Sequence, residues 1–402
     1  MRIAMVSEHA SPLADPGGPD SGGQNVHVGE LSRALAAAGH EVTVLTRRDD
    51  PGAPEIVPLQ AGVTVRHVTA GPERPIPKDE IVGHIPELAR GIEASWRAEP
   101  PDVVHAHFWM SGLAAATALR GLDIPLVQTF HALGSVKRRH QGAADTSPSG
   151  RIPTERLLAR RADRILATCE DELSELIRMG APRGRVSIVP CGVDTEEFSP
   201  YGPAMPRGAR PRLVSIGRLV RRKGVDELVA ALARVPSAEL LIAGGQDGDL
   251  DTARLRALAT RCGVSDRVRM LGAVPREQVP PLLRSADAVV CAPWYEPFGI
   301  VALEAMACER AVVATEVGGL QDTVVHGVTG LHVPPRRPDA LAAALRDVLS
   351  GPMLPAAFGV AGRARVLARY TWAHVAAATE RVYEMVLDER VGLPAPAAGG
   401  AR

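Results

Sequence analysis

In the stretch Glu296-Pro-Phe-Gly-Ile-Val-Ala-Leu-Glu304, two carboxylates frame the start of a helix. Pro297 and Gly299 mark the turn into that helix. Glu296 therefore stands just outside the first turn and Glu304 lies inside, about one and a half turns along. Both side chains can face one ligand. The amides of Phe298, Gly299 and Ile300 have no acceptor within the helix, and an anion placed against them gains about 0.3 to 1 kcal/mol, rising to about 2 kcal/mol in a partly buried setting. Taken singly, each glutamate has a plainer explanation: Glu296 as a capping carboxylate and Glu304 as a surface helix charge.

A second candidate is the loop Ser21-Gly-Gly-Gln-Asn-Val-His27, which follows an apolar strand and opens a helix. Its two glycines let the backbone approach a phosphate closely, which suits the Gly23 amide to an anion; a tight strand-to-helix turn explains the same residues. The dinucleotide fingerprint G-x-G-x-x-G is absent from it. His131, in Leu126-Val-Gln-Thr-Phe-His131-Ala132, falls at the carboxyl end of an apolar strand, where a polar side chain enters a cleft. His105 and His107 share one face of another strand. Their spacing suits a metal, but no third ligand is evident nearby, so a structural place in a cleft wall is expected. Asp247-Gly-Asp249 imitates the D-x-D metal signature, yet it precedes a helical stretch and is expected to cap it. No catalytic metal and no cofactor are expected.

The elements that must position these residues are legible from periodicity. Short apolar runs at 3–6, 42–46, 63–68, 103–107, 126–130, 164–168 and 186–189 alternate with stretches of helical period, and a second series follows at 213–216, 240–243, 268–271, 288–291, 311–314 and 330–333. Such alternation marks parallel βαβ units covered on both faces. Between the two series, Pro200, Gly202, Pro203, Pro206, Gly208 and Pro211 exclude a strand or helix interior. The expected fold is α/β, with two Rossmann-like doubly wound domains facing a central cleft. Residues 1–198 form the first domain, 199–211 the linker and 212–371 the second domain. A C-terminal helix at 372–388 packs back on the first domain, and 389–402 is a flexible tail. A first helix is expected over 23–38, with Val28, Leu31 and Leu35 on one face and Gly39 ending it. Open α/β sheets bind ligands at the carboxyl ends of their strands, which is where all these candidates fall.

Composition narrows the classes. The 402 residues exceed what one core usually serves, and 46% hydrophobic with 23% charged residues describe an ordinary globular protein. The 46 basic and 46 acidic residues cancel, so no global pull toward nucleic acid or anionic lipid is expected and any anion site must be local. Cys169, Cys191, Cys262, Cys291 and Cys308 show no metal or redox spacing and are expected to be reduced thiols. No signal peptide and no membrane span are recognised, and the expected compartment is the cytoplasm. Oligomeric state is not legible.

With Gly217-Arg218 and Lys223 upstream, the Glu296 and Glu304 spacing resembles the family 4 retaining glycosyltransferases of the GT-B fold, and the likeness runs along nearly the whole chain. The resemblance implies that Glu296 holds donor-sugar hydroxyls, Glu304 the ribose hydroxyls, and Arg218 and Lys223 the diphosphate. It also places Gly23, Phe298, Gly299 and Ile300 at the donor and His131 at the donor sugar. Within the family the chain looks most like the actinobacterial inositol-phosphate N-acetylglucosaminyltransferases and the sucrose-phosphate-synthase-like group, through Gly22-Gly-Gln-Asn25, Lys78-Asp-Glu and His105-Ala-His-Phe-Trp-Met-Ser-Gly112. Acceptor contacts of the former fall on Asn25, Lys78 and Arg151. Phe108 and Ala132 stand where those enzymes carry Tyr and Thr hydroxyls to the acceptor phosphate, and neither can donate a hydrogen bond.

The implied activity is transfer of a hexosyl group from a nucleotide diphosphate sugar, with UDP-N-acetylglucosamine as first candidate, to a small polar acceptor such as a cyclitol or sugar, phosphorylated or not. No base stands obviously opposite the reaction centre, and the resemblance implies retention through front-face substitution. Two other readings stay open: a GT-B-shaped nucleotide-sugar epimerase, which needs no acceptor, and a non-catalytic nucleotide-sugar-binding protein, which turns nothing over. The basic run Lys137-Arg-Arg-His140 is expected to be a solvated charge run rather than a phosphate site.

Overall fold

Side chains on successive strand residues point to opposite faces of a sheet, and here both faces are apolar. In β1 (Arg2–Val6), Ile3 and Met5 enter one core while Ala4 and Val6 enter another. In β9 (Arg212–Ile216), Leu213 and Val214 divide in the same way. Only helices on both sides can cover such strands. The computed structural model describes residues 1–14, 22–246 and 248–391, and it has two sheets built on this plan.

The first sheet adds β2 (Glu41–Arg47), β3 (Ile56–Gln60), β4 (Val63–Val68), β5 (Val103–His107), β6 (Leu126–Thr129), β7 (Arg164–Ala167) and β8 (Val186–Ile188). Its order is β3-β4-β2-β1-β5-β6-β7-β8, parallel except for β3 against β4. The second sheet adds β10 (Glu239–Ala243), β11 (Val268–Gly272), β12 (Ala288–Cys291), β13 (Ala311–Thr315) and β14 (Gly330–Val333), in the order β11-β10-β9-β12-β13-β14, all parallel. Strand β3 is the one element of either sheet that periodicity did not suggest. It holds Pro58, which cannot donate to a ladder and is tolerated because β3 is an edge strand.

The chain crosses between lobes upstream of the Pro- and Gly-rich stretch. Val193 and Phe198 are already buried in the second core, and the Val193 amide donates to the Tyr370 carbonyl at 2.8 Å beside the returning chain. Residues 199–211 then run along the second lobe, where Arg284 donates to the Pro203 carbonyl and the Met205 amide to that of Pro281.

The last helix, Trp372–Val391, lies against the first lobe. Trp372, Val375, Val382, Tyr383 and Val386 share a core with Val28, Leu31 and Leu35 of the helix Gly23–Ala37. It runs past residue 388: Glu389 pairs with Arg164, and Arg390 reaches Asp123 and Asp163, so these charges extend the docked helix into the expected tail. Residues 392–402 of that tail lie outside the described residues. Tyr383 Oη meets His105 Nδ1 of β5 at 2.7 Å with both groups buried. Tyr383→Phe is expected to leave that ring nitrogen unsatisfied and lower unfolding free energy by about 1 to 3 kcal/mol in denaturant titration; an unchanged midpoint contradicts the account.

Candidate active site

The helix Ile300–Ala307 begins at Gly299, which has φ 78° and no side chain to cap the open amides. Its approach is fixed by backbone contact. The Gly319 amide donates to the Glu296 carbonyl at 2.9 Å, and a Cβ on Gly318 would stand 2.2 Å from that same oxygen. On the facing loop, Arg221–Lys223 forms a 3-10 turn closed by Gly224 at φ 68°, where a Cβ would stand 1.8 Å from the Ala292 carbonyl oxygen. The Trp294 amide donates to the Arg222 carbonyl at 2.7 Å. These approaches bring Lys223 Nζ into an ion pair with Glu296 Oε2.

Burial pushes the Glu296 carboxyl up, but the Lys223 charge, with Arg222 and the Phe298 amide, outweighs it and holds Glu296 below its ordinary value. Glu304, 3% exposed, is paired through Oε1 with Arg276 Nη1 at 2.5 Å. There burial prevails over Arg276, and the pKa is raised. Arg218 stands exposed just after Gly217, at the carboxyl end of β9.

The first lobe meets this loop directly. A Cβ on Gly23 would lie 3.1 Å from Ile300 Cδ1 and 3.8 Å from Phe298 Cδ2. The start of the helix Gly23–Ala37 therefore lies against the Phe298 and Ile300 side chains at the start of Ile300–Ala307. Asn25 is committed to its own loop: Oδ1 accepts from the Gly22 amide at 3.1 Å and Nδ2 donates to the Ser11 carbonyl at 3.0 Å. Ser21 lies outside the described residues.

Phe298 packs against a group of buried histidines, 6.0 Å from the His27 ring and 5.3 Å from that of His131. His131 Nε2 meets His107 Nδ1 at 2.9 Å, and His105 lies 4.1 Å from His107 ring to ring. Burial drives all four rings down, His27 to about 4 and His105 to about 3, so they are neutral at pH 7. Nδ1 of His27, Nε2 of His107 and Nδ1 of His131 are buried without a hydrogen-bond partner. His131 has φ 61° and Phe108 φ 82°, conformations that L residues other than glycine seldom hold; they sit at the ends of β6 and β5.

Phe108 organises the other wall. Lys78 Nζ lies 5.4 Å and Arg151 Cζ 5.0 Å from its ring centre. Arg151 is buried and fully occupied, with Nε on Glu155 at 2.8 Å, Nη2 on the Ala132 carbonyl at 2.6 Å and Nη1 on Ser147 at 3.2 Å. Lys78, Phe108, Ala132 and Arg151 thus converge. The basic run is partly internal, since Lys137 pairs with Asp145 and Arg139 with Glu175, while His140 stacks on Tyr295 of the other lobe at 4.9 Å. Asp249 caps the helix Leu250–Arg261, and Asp247 lies outside the described residues.

Sequence reasoning missed Arg276, Tyr295, and the buried Glu8 with His9 held on it at 2.6 Å. All lie in loops at strand ends, where no periodicity marks them.

Residues 21–197 match the family model described as Glycosyltransferase Family 4, and residues 206–365 the one described as Glycosyl transferases group 1. The chain is 38% identical to the D-inositol 3-phosphate glycosyltransferase of Xylanimonas cellulosilytica, over 97% of this chain and 98% of that protein. It is 36% identical to D-inositol 3-phosphate glycosyltransferase 2 of Catenulispora acidiphila, over 96% of each. Among solved structures, sucrose-phosphate synthase from Thermosynechococcus elongatus superposes with a TM-score of 0.88 at 32% identity, covering 96% of this chain and 99% of that one. Anabaena HepE in complex with UDP and glucose shares the fold, with a TM-score of 0.74 at 20% identity and coverage of 96% and 100%.

The buried histidines generate a pH dependence. Their folded pKa values lie below the ordinary 6.5, so the unfolded chain binds the proton first, and stability falls as pH drops from about 6.5 toward 4. His27→Phe is expected to flatten that acid limb in melting curves; an unaltered slope contradicts the assignment.

Proposed function

Because this chain belongs to the family 4 glycosyltransferases, we propose that it moves a hexosyl group from a nucleotide diphosphate sugar to a small cyclitol or sugar acceptor, with retention and without a catalytic metal. UDP-N-acetylglucosamine is the first donor to try. The observation that carries this reading is the pairing of Lys223 with Glu296 beside the start of the helix Ile300–Ala307, whose Ile300 and Phe298 side chains lie against Gly23 of the first lobe.

Lys223 and Glu296 neutralise each other. A donor exchanges that pair for two new ones: Lys223 turns to the diphosphate with Arg218, and Glu296 accepts from sugar hydroxyls. As the bond from the anomeric carbon to the diphosphate oxygen breaks, charge grows on the leaving group. Cations already turned to the bound diphosphate, with the helix amides, stabilise it without further reorganisation as the bond breaks, which supplies locally what a metal supplies elsewhere. The acceptor oxygen bonds to the anomeric carbon on the face the diphosphate leaves, and its proton passes to the departing phosphate oxygen. His131, neutral and held by His107, borders the sugar.

The relatives named for D-inositol 3-phosphate support a cyclitol phosphate acceptor. Lys78 lies beside Phe108 on the wall that the resemblance gives to this acceptor, while Phe108 and Ala132 remove two hydroxyl donors from that wall. Five free thiols support a reducing cytoplasm.

The product anomer is expected by NMR to keep the donor configuration, and turnover to persist in EDTA; an inverted anomer contradicts the mechanism. Lys223→Ala is expected to lower kcat by about a hundredfold to a thousandfold. Donor isomerisation without acceptor would mark an epimerase instead.

A further inference from the structure

Arg276 lies in the 3-10 turn Arg276–Gln278, which follows β11 at the edge of the second lobe. Its guanidinium joins two carboxylates. Nη1 donates to Glu304 Oε1 at 2.5 Å, and Nε and Nη2 grip Glu197 at 3.0 Å, with the Phe198 ring 4.4 Å from Cζ. Glu197 and Phe198 belong to the segment that has just crossed between lobes, so the fork is anchored at the hinge.

We propose that Arg276 is a positioning residue for nucleotide recognition. It holds Glu304 as an oriented carboxylate whose second oxygen accepts from the ribose hydroxyls, while Glu197 fixes the guanidinium in place. The inference rests on the reading of Glu304 as the ribose ligand. Oε1 is taken by Arg276, and Oε2 accepts no hydrogen bond among the described residues. A vicinal diol is best held by a charged carboxylate, because a protonated one gives up part of its acceptor capacity.

Burial works against that charge at Glu304, and Glu197 adds to the pressure; Arg276 is the cation that opposes it. The other titratable groups felt there are the thiols of Cys191, Cys291 and Cys308, all pushed up by burial and therefore uncharged at neutral pH. Removing Arg276 leaves Glu304 without its counterion, so protonation climbs toward neutral pH. Lys223 faces the other carboxylate and cannot replace it.

Calorimetric titration of the full chain with UDP and with 2′-deoxy-UDP tests this, repeated in the adenine and guanine series so that the ratio is read with whichever base the wild type binds. The wild type is expected to prefer the ribonucleotide by about tenfold, the worth of one charge-assisted hydrogen bond. Arg276→Met is expected to reduce ribonucleotide affinity by about that factor and leave the deoxynucleotide nearly unchanged. The ratio then collapses, and the variant's ribonucleotide affinity falls further as pH is lowered from about 8 to 6. Arg276→Lys is expected to recover part of the preference. Equal weakening of both nucleotides in Arg276→Met would reduce Arg276 to a structural support and overturn the proposal, as would an unchanged ratio. If Glu304→Gln keeps the wild-type ratio, Glu304 is not the ribose ligand and the parent reading fails instead.

Discussion

Two carboxylates drawn from water at the same helix, Glu304 buried and Glu296 partly buried, need counterions to stay charged, and each finds one in a different loop. Glu296 is held by Lys223 and Glu304 by Arg276. Removing one member of such a pair strands a charge away from water, which is why breaking a buried pair is costly even where forming it adds little stability. The cleft is therefore stored in a balanced state. A donor with a negative diphosphate and a hydroxylated sugar can replace the internal pairs with pairs to itself.

Backbone proximity maintains that balance. Gly224, Gly318 and Gly319 each sit where a side chain would strike a carbonyl of the neighbouring loop, so the segments carrying Lys223 and Glu296 are pressed together as a unit. The doubly wound sheets beneath, apolar on both faces, hold the strand ends from which these loops rise. The helix Trp372–Val391 ties the second half of the chain back to the first.

Strand positions were legible because β-branched runs buried on both faces have no other soluble use, and all but β3 were placed to within about a residue of their ends. Glu296 and Glu304 stood out because two acids framing a helix start can face one ligand, whereas Lys223 was singled out only through the resemblance to the family 4 glycosyltransferases. Arg276 was not: its role depends on two carboxylates far away in sequence, and nothing local announces it. Likewise, Arg151 looks like an available cation until Glu155, Ser147 and the Ala132 carbonyl are seen to occupy it. The histidines could be placed on strands, but their mutual contacts arise only when β5, β6 and the helix Gly23–Ala37 come together.

The claim beneath all of this is that amides from both lobes serve one diphosphate. Amide hydrogen exchange on the full chain, with and without saturating nucleotide diphosphate, observes those amides directly. The account predicts that residues 22–26 and 298–302 gain protection together in the complex. Protection confined to 298–302, with 22–26 exchanging as in the free protein, would contradict it.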